Sequence, residues 1–320
     1  MKLLAAPQPL GVPVALAIGV FDGVHLGHQA VLRRARELAG PHAAAVAVTF
    51  DRHPAAVLAP DHAPPLITTA GQRLRALAEL GLDAALVIRF DTAFSRVPAE
   101  DFVRGLAAGF GRLCAVCVGA DFVFGHRRGG DLALLQRLGA ELGFTVEGLP
   151  PVLDTGEPVS STRIRELVRA GLLAGASRML GRPYALAGQV IRGEQLGRRL
   201  GWPTANLDVA GRLTPPPGVY AACARCHPAV GLSSPPEVPP AARSFRAALN
   251  IGHRPTVSGG ATSLHAEAHL LGFDGDLYGR ELELEFIARL RDERRFSSVD
   301  ELKEQVARDL AAVRAMPGEA

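Results

Sequence analysis

Residues 19–28, Gly19-Val20-Phe21-Asp22-Gly23-Val24-His25-Leu26-Gly27-His28, decide the fold of the first half of the chain. The apolar run Val14–Ile18 before them predicts a buried strand, and the apolar spacing in Gln29–Leu38 after them predicts a helix. A strand, a glycine-bearing turn and a helix together point backbone N–H groups and a helix N-terminus at an anion. We therefore expect a phosphate site at this turn.

Two histidines in the turn extend this expectation. His25 and His28 are three residues apart, so they share a face of the first helical turn, and Gly27 leaves no side chain in the way of a phosphate. Two imidazoles over a helix N-terminus suit a polyphosphate, which indicates a nucleotide site. The same residues are also compatible with a capped helix that carries two surface histidines. Neither the dinucleotide pattern G-x-G-x-x-G nor the P-loop pattern is present, which argues against a dehydrogenase or a P-loop kinase.

Length and composition limit the classes of protein. The chain has 320 residues, enough for about two domains, and its hydrophobic content of 48% supports sizeable cores. No apolar run is long enough to span a membrane, and the N-terminus lacks the core and cleavage pattern of a signal peptide. A net charge of +3 does not by itself imply nucleic-acid binding. We expect a cytoplasmic protein with neither nucleic acid nor membrane as a partner.

Four cysteines form two C-x-x-C pairs, Cys114/Cys117 and Cys223/Cys226, a spacing that also occurs in zinc sites. However, Leu113–Val118 predicts a strand, on which positions i and i+3 face opposite sides. Neither pair has the glycine of a tight zinc-binding turn. Buried or strand cysteines in a reducing compartment are therefore favoured over a zinc site.

The first half of the chain alternates predicted strands with predicted helices. The strands are Val14–Ile18, Ala43–Phe50, Ala84–Phe90, Leu113–Val118 and Phe144–Leu149. The later helices are Thr69–Leu80, Pro98–Ala108, Asp131–Leu142 and Thr162–Ala170. This order predicts a parallel sheet covered on both faces. Ligands of such sheets bind beyond the carboxyl ends of the strands, where the turns at 19–28, 50–54, 119–130 and 159–165 can converge.

The pattern changes near residue 182. A short helix over Leu172–Gly181 ends at Gly181-Arg182-Pro183, and strand candidates then follow one another without helices: Ala185–Ile191, Gly218–Ala224, Phe245–Ile251, Leu264–Leu271 and Leu282–Leu290. They predict a small antiparallel barrel or sandwich, followed by an amphipathic helix over Val299–Val313. We place the domain boundary between residues 181 and 182, which gives domains of residues 1–181 and 182–320.

A second glycine-rich motif lies between these strands, at residues 193–206. Three glycines allow the backbone to approach a phosphate closely: Gly193, Gly197 and Gly201. Thr204 and Asn206 offer oxygen ligands that suit Mg²⁺, and Pro203 restricts the backbone before them. A turn without a ligand is an equal alternative for this motif alone.

Motifs in both halves resemble known enzyme families. Residues 19–28, Val118–Gly125 and Ser160–Arg165 are similar to the signatures of bacterial FAD synthetases, which are H-x-G-H nucleotidyltransferases. The stretches that resemble riboflavin kinase are Gly201–Asn206, Pro217–Tyr220, Asn250–Thr256, Glu267–Gly279 and Leu290–Phe296. Nearly the whole chain is therefore similar to the bifunctional bacterial riboflavin kinase/FAD synthetases.

For the first half, the resemblance implies a Rossmann-like nucleotidyltransferase in which the FMN phosphate attacks the α-phosphorus of ATP and pyrophosphate leaves. His25, His28 and Arg165 would stabilise the charge on the phosphates, and Asp121 would contact the flavin. The other ATP-binding residues that the resemblance implies are Gly19, Phe21, Asp22, Gly23, Gly27, Ser161, Thr162 and Arg163. Taken alone, Ser160-Ser161-Thr162 would be an ordinary helix cap.

For the second half, the resemblance implies that the riboflavin 5′-hydroxyl attacks the γ-phosphorus of ATP, with Glu267 as the carboxylate near the nucleophile. A solvated strand glutamate is the alternative. Thr204 and Asn206 would hold Mg²⁺, beside the phosphate contacts of Gly193, Gly197, Gly201 and Pro203. Arg254 is assigned to the flavin site, although an exposed arginine is equally plausible. The substrates would be riboflavin, FMN and ATP, and the chain would be a monomer or a weak homo-oligomer.

Two other functions are weighed against this one. Another H-x-G-H enzyme, such as a pantetheine-phosphate or nicotinamide-nucleotide adenylyltransferase, would leave the motifs of the second half unexplained. A flavin- or nucleotide-binding regulator would retain its ligand without releasing pyrophosphate or ADP. The proline-rich segment Cys226–Ser244 lengthens a hairpin connection, and we assign no chemistry to it.

Overall fold

The structure is a computed structural model that describes residues 1–193, 197, 200–228, 243–255 and 262–316. Within these residues no helix has both the length and the apolar character needed to cross a membrane. The proline-rich segment falls largely outside the described part of the chain, as does the side chain of Arg254.

The first half contains a six-stranded parallel sheet. Its strands are β1 (Lys2–Leu4), β2 (Val14–Ile18), β3 (Ala44–Phe50), β4 (Ala84–Ile88), β5 (Leu113–Gly119) and β6 (Thr145–Leu149). The strand order is β1-β4-β3-β2-β5-β6. The five predicted strands are confirmed, and β1 is an additional strand that pairs with β4 at the edge. Because β3 and β5 flank β2 on opposite sides, a crevice opens at the carboxyl end of β2.

Helices cover both faces of this sheet. They are α1 (Leu26–Ala39), α2 (Ala55–Leu58), α3 (Ala70–Glu79), α4 (Ala99–Phe110) and α5 (Leu132–Leu142). Successive residues of β2 face different cores, since Leu16 belongs to the cluster under α4 and α5 and Ala17 to the cluster under α1 and α3. The predicted threonine cap is confirmed, because Thr69 and Gln72 form a capping box at the start of α3.

Two short strands and two helices follow the sheet: β7 (Leu153–Asp154), β8 (Glu157–Pro158), α6 (Ser161–Arg169) and α7 (Leu173–Leu180). The predicted boundary at residues 181/182 lies just after α7. Packing does not stop there, because residues of α6 and α7 such as Ile164 and Met179 share one hydrophobic core with the second half.

The second half is a closed antiparallel barrel. Its strands are β9 (Ala185–Ile191), β10 (Ala205–Leu207), β11 (Gly218–His227), β12 (Ser244–Pro255), β13 (Thr262–Leu270) and β14 (Glu281–Arg291). The barrel is confirmed over the sandwich, because β10, a strand that was not predicted, pairs with both β9 and β13 and so closes the sheet. The predicted terminal helix is α8 (Val299–Ala315), which packs against β11 and β12.

Charged side chains connect the two halves. The Arg75 guanidinium of α3 lies 2.7 Å from carboxylate oxygens of both Glu281 and Glu283 in β14, and His227 lies 3.2 Å from Glu283. Hydrogen bonds from His227 and Arg75, together with the charge of Arg75, outweigh burial and lower the pKa of Glu283 to about 2. The Glu283 carboxylate is therefore ionised at neutral pH.

The cysteine prediction needs a correction. Cys114 and Cys117 were expected on opposite faces of β5, but both pack against the core under α1 and α3. The pairing of β5 with β2 shifts register between Leu113 and Ala115, so the alternation of faces is interrupted at Cys114. Burial raises the pKa of the Cys117 thiol to about 12, which disfavours the thiolate that a metal ion requires.

Candidate active sites

The loop between β2 and α1 has an unusual backbone. Phe21 (φ 53°), Gly23 (φ 88°) and Val24 (φ 41°) all lie in the left-handed region, which is costly for residues with side chains. Gly19 cannot be replaced without movement, because a Cβ there would lie 2.8 Å from the Phe21 ring. Such a conformation persists only where the surrounding structure holds it.

The two histidines of the loop stack on each other. His25 is the N-cap residue of α1, and its Nδ1 accepts a hydrogen bond of 3.3 Å from the His28 backbone N–H. The two rings are 3.6 Å apart between centroids and nearly parallel. Gly27 is required beside them, because a Cβ there would lie 3.2 Å from the His25 ring. The predicted shared face is therefore present.

Burial keeps both imidazoles neutral in the absence of a ligand. Loss of hydration lowers the pKa of His25 to about 4, and burial together with the neighbouring His25 lowers the pKa of His28 well below its usual value. A bound polyphosphate would supply the negative charge that favours the protonated forms. His28 can therefore take up a proton as an anionic ligand binds, whereas His25 stays neutral as long as its Nδ1 accepts the cap hydrogen bond.

Helix α6 brings two of the predicted residues to this loop. Ser161 Oγ donates to the Asp22 backbone carbonyl at 3.0 Å, and Arg165 Nη2 donates to the Asp22 carboxylate at 2.6 Å. Thr162 is exposed on the same helix. Arg163 turns away, because its guanidinium donates to the backbone carbonyls of residues 157 and 158 in β8.

Other residues around the loop were not predicted. Arg73 of α3 is buried and donates to the Val20 carbonyl at 3.0 Å and to the Phe50 carbonyl, so it connects the ends of β2 and β3. Arg182 donates to the Gly23 carbonyl at 2.7 Å. Single arginines in a helix and in a linker carry no motif that could have revealed them. Asp121, the predicted flavin contact, is exposed in the loop after β5.

A second group of polar residues forms a row on the barrel. Glu267 of β13 lies directly opposite Asn206 of β10 on one side and Asn250 of β12 on the other. The neighbours of Glu267 in its strand, Ala266 and Ala268, are buried in the barrel core. Since side chains alternate along a strand, the Glu267 row faces the outside of the barrel.

Two cavities meet near this row. One, of about 220 Å³, lies between the barrel and α8 and is lined by Glu267, Asn250, Thr204 and Phe296 among others. The second, of about 490 Å³, is lined by Thr204, Arg192, Asp276 and Tyr278 among others. Thr204 lines both cavities, so a group bound in either one comes close to its side chain.

The glycines of the second motif allow close packing around the same residues. A Cβ on Gly193 would lie 2.5 Å from the Asn206 amide, and a Cβ on Gly197 would lie 2.5 Å from the Trp202 carbonyl. Gly201 has a φ of 97°. The Pro203 carbonyl lies 2.8 Å from a ring nitrogen of His269. Of this motif, residues 194–196, 198 and 199 lie outside the described part of the chain.

Both halves match known families. A family profile described as FAD synthetase matches residues 10–163, and one described as riboflavin kinase matches residues 180–317. The first covers strands β2–β6 of the parallel sheet and the H-x-G-H loop, and the second covers the barrel and α8. The two matches therefore correspond to the two groups of polar residues.

Relatives match over nearly the full chain. The bifunctional riboflavin kinase/FMN adenylyltransferase of Escherichia coli (strain K12) is 40% identical over 309 residues, which cover 96% of this chain and 93% of the relative. That of Pseudomonas fluorescens is 40% identical over 301 residues, covering 93% and 91%. A solved structure from Streptococcus pneumoniae, described as a macrolide-efflux protein, is 26% identical with a TM-score of 0.77 and covers 99% of this chain and 100% of its own.

Proposed function

The chain belongs to the bifunctional riboflavin kinase/FMN adenylyltransferase family, and we propose that the two groups of polar residues described above carry out its two reactions. The barrel phosphorylates riboflavin to FMN, and the parallel-sheet half joins FMN to the adenylyl group of ATP to make FAD. ATP is the co-substrate of both steps. The observation that carries the residue assignment is the presence of two separate sites, one at the H-x-G-H loop and one at the Glu267 row.

In the adenylyl transfer, the loop binds the triphosphate and no catalytic base is needed. The FMN phosphate is already mostly ionised at neutral pH, since the second pKa of a phosphate monoester is about 6. It attacks the α-phosphorus, and pyrophosphate leaves with the electron pair of the broken P–O bond. His25 binds the phosphates through its Nε2–H group while its Nδ1 caps the helix, His28 binds them in its protonated form, and the N–H groups at the start of α1 stabilise the negative charge.

In the kinase reaction, Glu267 accepts the proton of the riboflavin 5′-hydroxyl as its oxygen attacks the γ-phosphorus. We assign the flavin to the cavity under α8 and the nucleotide to the larger cavity. Their common boundary at Thr204 is the place where a phosphoryl group can pass from one to the other. This arrangement works mainly by positioning the two reactants.

Thr204 and Asn206 fit the requirements of a Mg²⁺ site. The hydroxyl and the amide carbonyl are hard oxygen ligands, and both residues lie next to the Glu267 row. A Mg²⁺ ion held by these two residues would neutralise negative charge on the phosphates of ATP. The proposal also assigns Asp121 and Arg254 to the flavin sites. We further propose that the protein is a monomer or a weak homo-oligomer and that it acts in the cytoplasm, where ATP is available.

The proposal is tested by incubating the purified full chain with riboflavin, ATP and Mg²⁺ and separating the flavins. We expect FMN first and FAD afterwards, and the absence of both would end the proposal. Label in the γ-phosphate of ATP should reach FMN and FAD, whereas label in the α-phosphate should reach FAD alone.

Two ATP analogues separate the sites in the same assay. An analogue that cannot be cleaved between the α- and β-phosphates should support FMN formation only. An analogue that cannot be cleaved between the β- and γ-phosphates should support only the conversion of added FMN to FAD. Turnover of pantetheine phosphate or nicotinamide mononucleotide in place of FMN would favour another adenylyltransferase.

A further inference from the structure

The segment Leu66–Thr68 contacts both halves of the molecule. On one side, the Leu66 N–H donates to the Gly211 carbonyl and the Leu213 N–H donates to the Leu66 carbonyl, both at 2.9 Å, so the segment is bridged to the second half. On the other side, the N–H groups of Ile67 and Thr68 donate to the Asp22 carboxylate at 3.1 Å. A three-residue segment therefore lies between the barrel and the H-x-G-H loop.

The Thr68 hydroxyl makes two hydrogen bonds to consecutive residues of that loop. It accepts from the Gly23 N–H at 3.0 Å and donates to Asp22 Oδ1 at 3.2 Å. Thr68 is 7% exposed and Asp22 is 3% exposed, so solvent water does not reach these atoms to replace either hydrogen bond. Loss of the hydroxyl would leave a buried N–H without a partner and remove one donor from a buried carboxylate.

The hydrogen bonds of the Thr68 hydroxyl affect the part of the loop that orients His25 and His28. Asp22 and Gly23 lie in the strained stretch, and His25 follows Gly23 by two residues. The loop packs tightly on the segment, because a Cβ on Gly23 would lie 3.1 Å from the Ile67 side chain. A shift of the loop would move the His25 and His28 rings away from the place where they bind phosphates.

We propose that Thr68 is a positioning residue for adenylyl transfer. It holds the Asp22 carboxylate and the Gly23 backbone N–H so that His25 and His28 face the triphosphate, and its neighbour Leu66 connects this segment to the barrel half. Asp22 has the same role, because its two carboxylate oxygens are engaged by Ile67, Thr68 and Arg165. Neither residue needs to touch a phosphate. The inference rests on the proposed adenylyl transfer, which the experiment measures first in the unchanged protein.

The test compares Thr68→Val with Thr68→Ser in the full chain. Valine keeps the shape of threonine but lacks the hydroxyl, whereas serine keeps the hydroxyl. Thr145→Val is the matched control, because the Thr145 hydroxyl also hydrogen-bonds a backbone group, the Cys114 carbonyl, but Thr145 is exposed at the start of β6. For each variant, kcat and KM are measured for FMN adenylylation and for riboflavin phosphorylation.

We expect Thr68→Val to lower kcat for adenylylation by about 10- to 100-fold, as misplacement of a catalytic loop does, while the KM for ATP changes less. Thr68→Ser should restore most of the rate. Riboflavin phosphorylation should stay within about twofold of the unchanged protein in all three variants, which shows that the barrel half is folded, and the small change in the KM for ATP shows that the adenylylation site still forms.

The inference is overturned if Thr68→Val adenylylates at the normal rate or if Thr68→Ser is as slow as Thr68→Val. It is also overturned if Thr68→Val loses both activities together, because Thr68 would then be required for the stability of the whole fold and not for the position of one loop. If the unchanged protein makes FMN but no FAD, the proposed adenylyl transfer itself is wrong, and that result is separate from any result with the variants.

Discussion

Arg165 and Asp22 form an almost completely buried ion pair, with Arg165 Nη2 2.6 Å from Asp22 Oδ2. Arg165 Nε also donates to the Pro65 carbonyl at 2.8 Å. The resemblance to nucleotidyltransferases implied that both residues bind ATP. In the structure, both residues make contacts within the protein that connect the H-x-G-H loop to α6 and to the segment that precedes α3.

The Arg165→Met variant should therefore be strongly destabilised. Methionine leaves the Asp22 carboxylate buried without its cation, and breaking a buried ion pair in this way costs about 3–5 kcal/mol. Urea unfolding followed by circular dichroism measures the loss. The matched control is Arg137→Met, which removes an exposed pair with Glu100 and should cost less than about 1 kcal/mol. Equal losses in the two variants would contradict the structural role of Arg165.

The His28→Ala variant should lose FAD formation and keep FMN formation. The His28 imidazole is at the centre of the proposed triphosphate site, whereas the Glu267 row lies on the barrel. Removal of a group that stabilises transition-state charge typically costs about 10²–10³-fold in kcat. Flavin separation after incubation with riboflavin and ATP measures both products. His42→Ala serves as the control, because His42 is exposed before β3, at the amino ends of the strands. FAD produced at the full rate by His28→Ala would show that the loop is not the site.

The Glu267→Gln variant should show the opposite pattern. Glutamine keeps the size of the side chain but cannot accept the hydroxyl proton, and a general base contributes about 10²–10⁴-fold to such a reaction. FMN supplied directly should still be converted to FAD at the normal rate. Glu304→Gln, an exposed change on α8, should affect neither step. A Glu267→Gln protein that still phosphorylates riboflavin normally would assign the proton transfer to another group.

The free energy of unfolding should fall as the pH decreases from 6.5 towards 4. Burial lowers the pKa of His25 to about 4, and that of His28 in the same direction, so in this range the unfolded chain binds protons that the folded chain excludes. For His25 alone, the loss between pH 7 and pH 5 is about 2 kcal/mol. The depressed pKa of Glu283 adds to this loss from about pH 5.5 downward, where the unfolded carboxylate begins to take up a proton, and most of its effect falls below about pH 4.5.

Denaturant unfolding at several pH values measures this decline. Asparagine in place of His25 is the matched variant, because it is a good N-cap residue and does not titrate. The His25→Asn protein should lose less stability between pH 7 and pH 5 than the unchanged protein. An identical decline in both would show that the buried His25 imidazole does not contribute to it.

Much of the fold was predictable because its signals are local. The buried strands β2, β3 and β5 are apolar runs, and the turns that follow them contain glycine or polar residues. The elements that were missed have two to four residues each, too few to show a period: β1, β7, β8, β10 and α2. The misplaced face of Cys114 has a similar origin, because the register shift in β5 depends on its pairing with β2.

The candidate sites were predicted in part. The motifs indicated the H-x-G-H loop and the oxygen ligands of Thr204 and Asn206, and the resemblance added Glu267. The residues that hold these groups in place were not indicated: Thr68, Arg73 and Arg182. They make their hydrogen bonds with residues far away in the chain, as Thr68 does with Gly23 across 45 positions. No spacing rule relates such partners.

Local signals in the sequence were enough to predict a parallel-sheet half, an antiparallel half after it and the glycine-bearing turns, because these follow from side-chain period and from backbone freedom within a few residues. The closure of the barrel by β10, the buried hydrogen bonds of Asp22, the two cavities beside the Glu267 row and the contacts of Leu66–Thr68 with both halves are properties of the folded chain. These properties arise because segments far apart in the sequence pack together and exclude water. Each buried hydrogen bond or ion pair then joins a residue to a partner that its sequence neighbours do not identify.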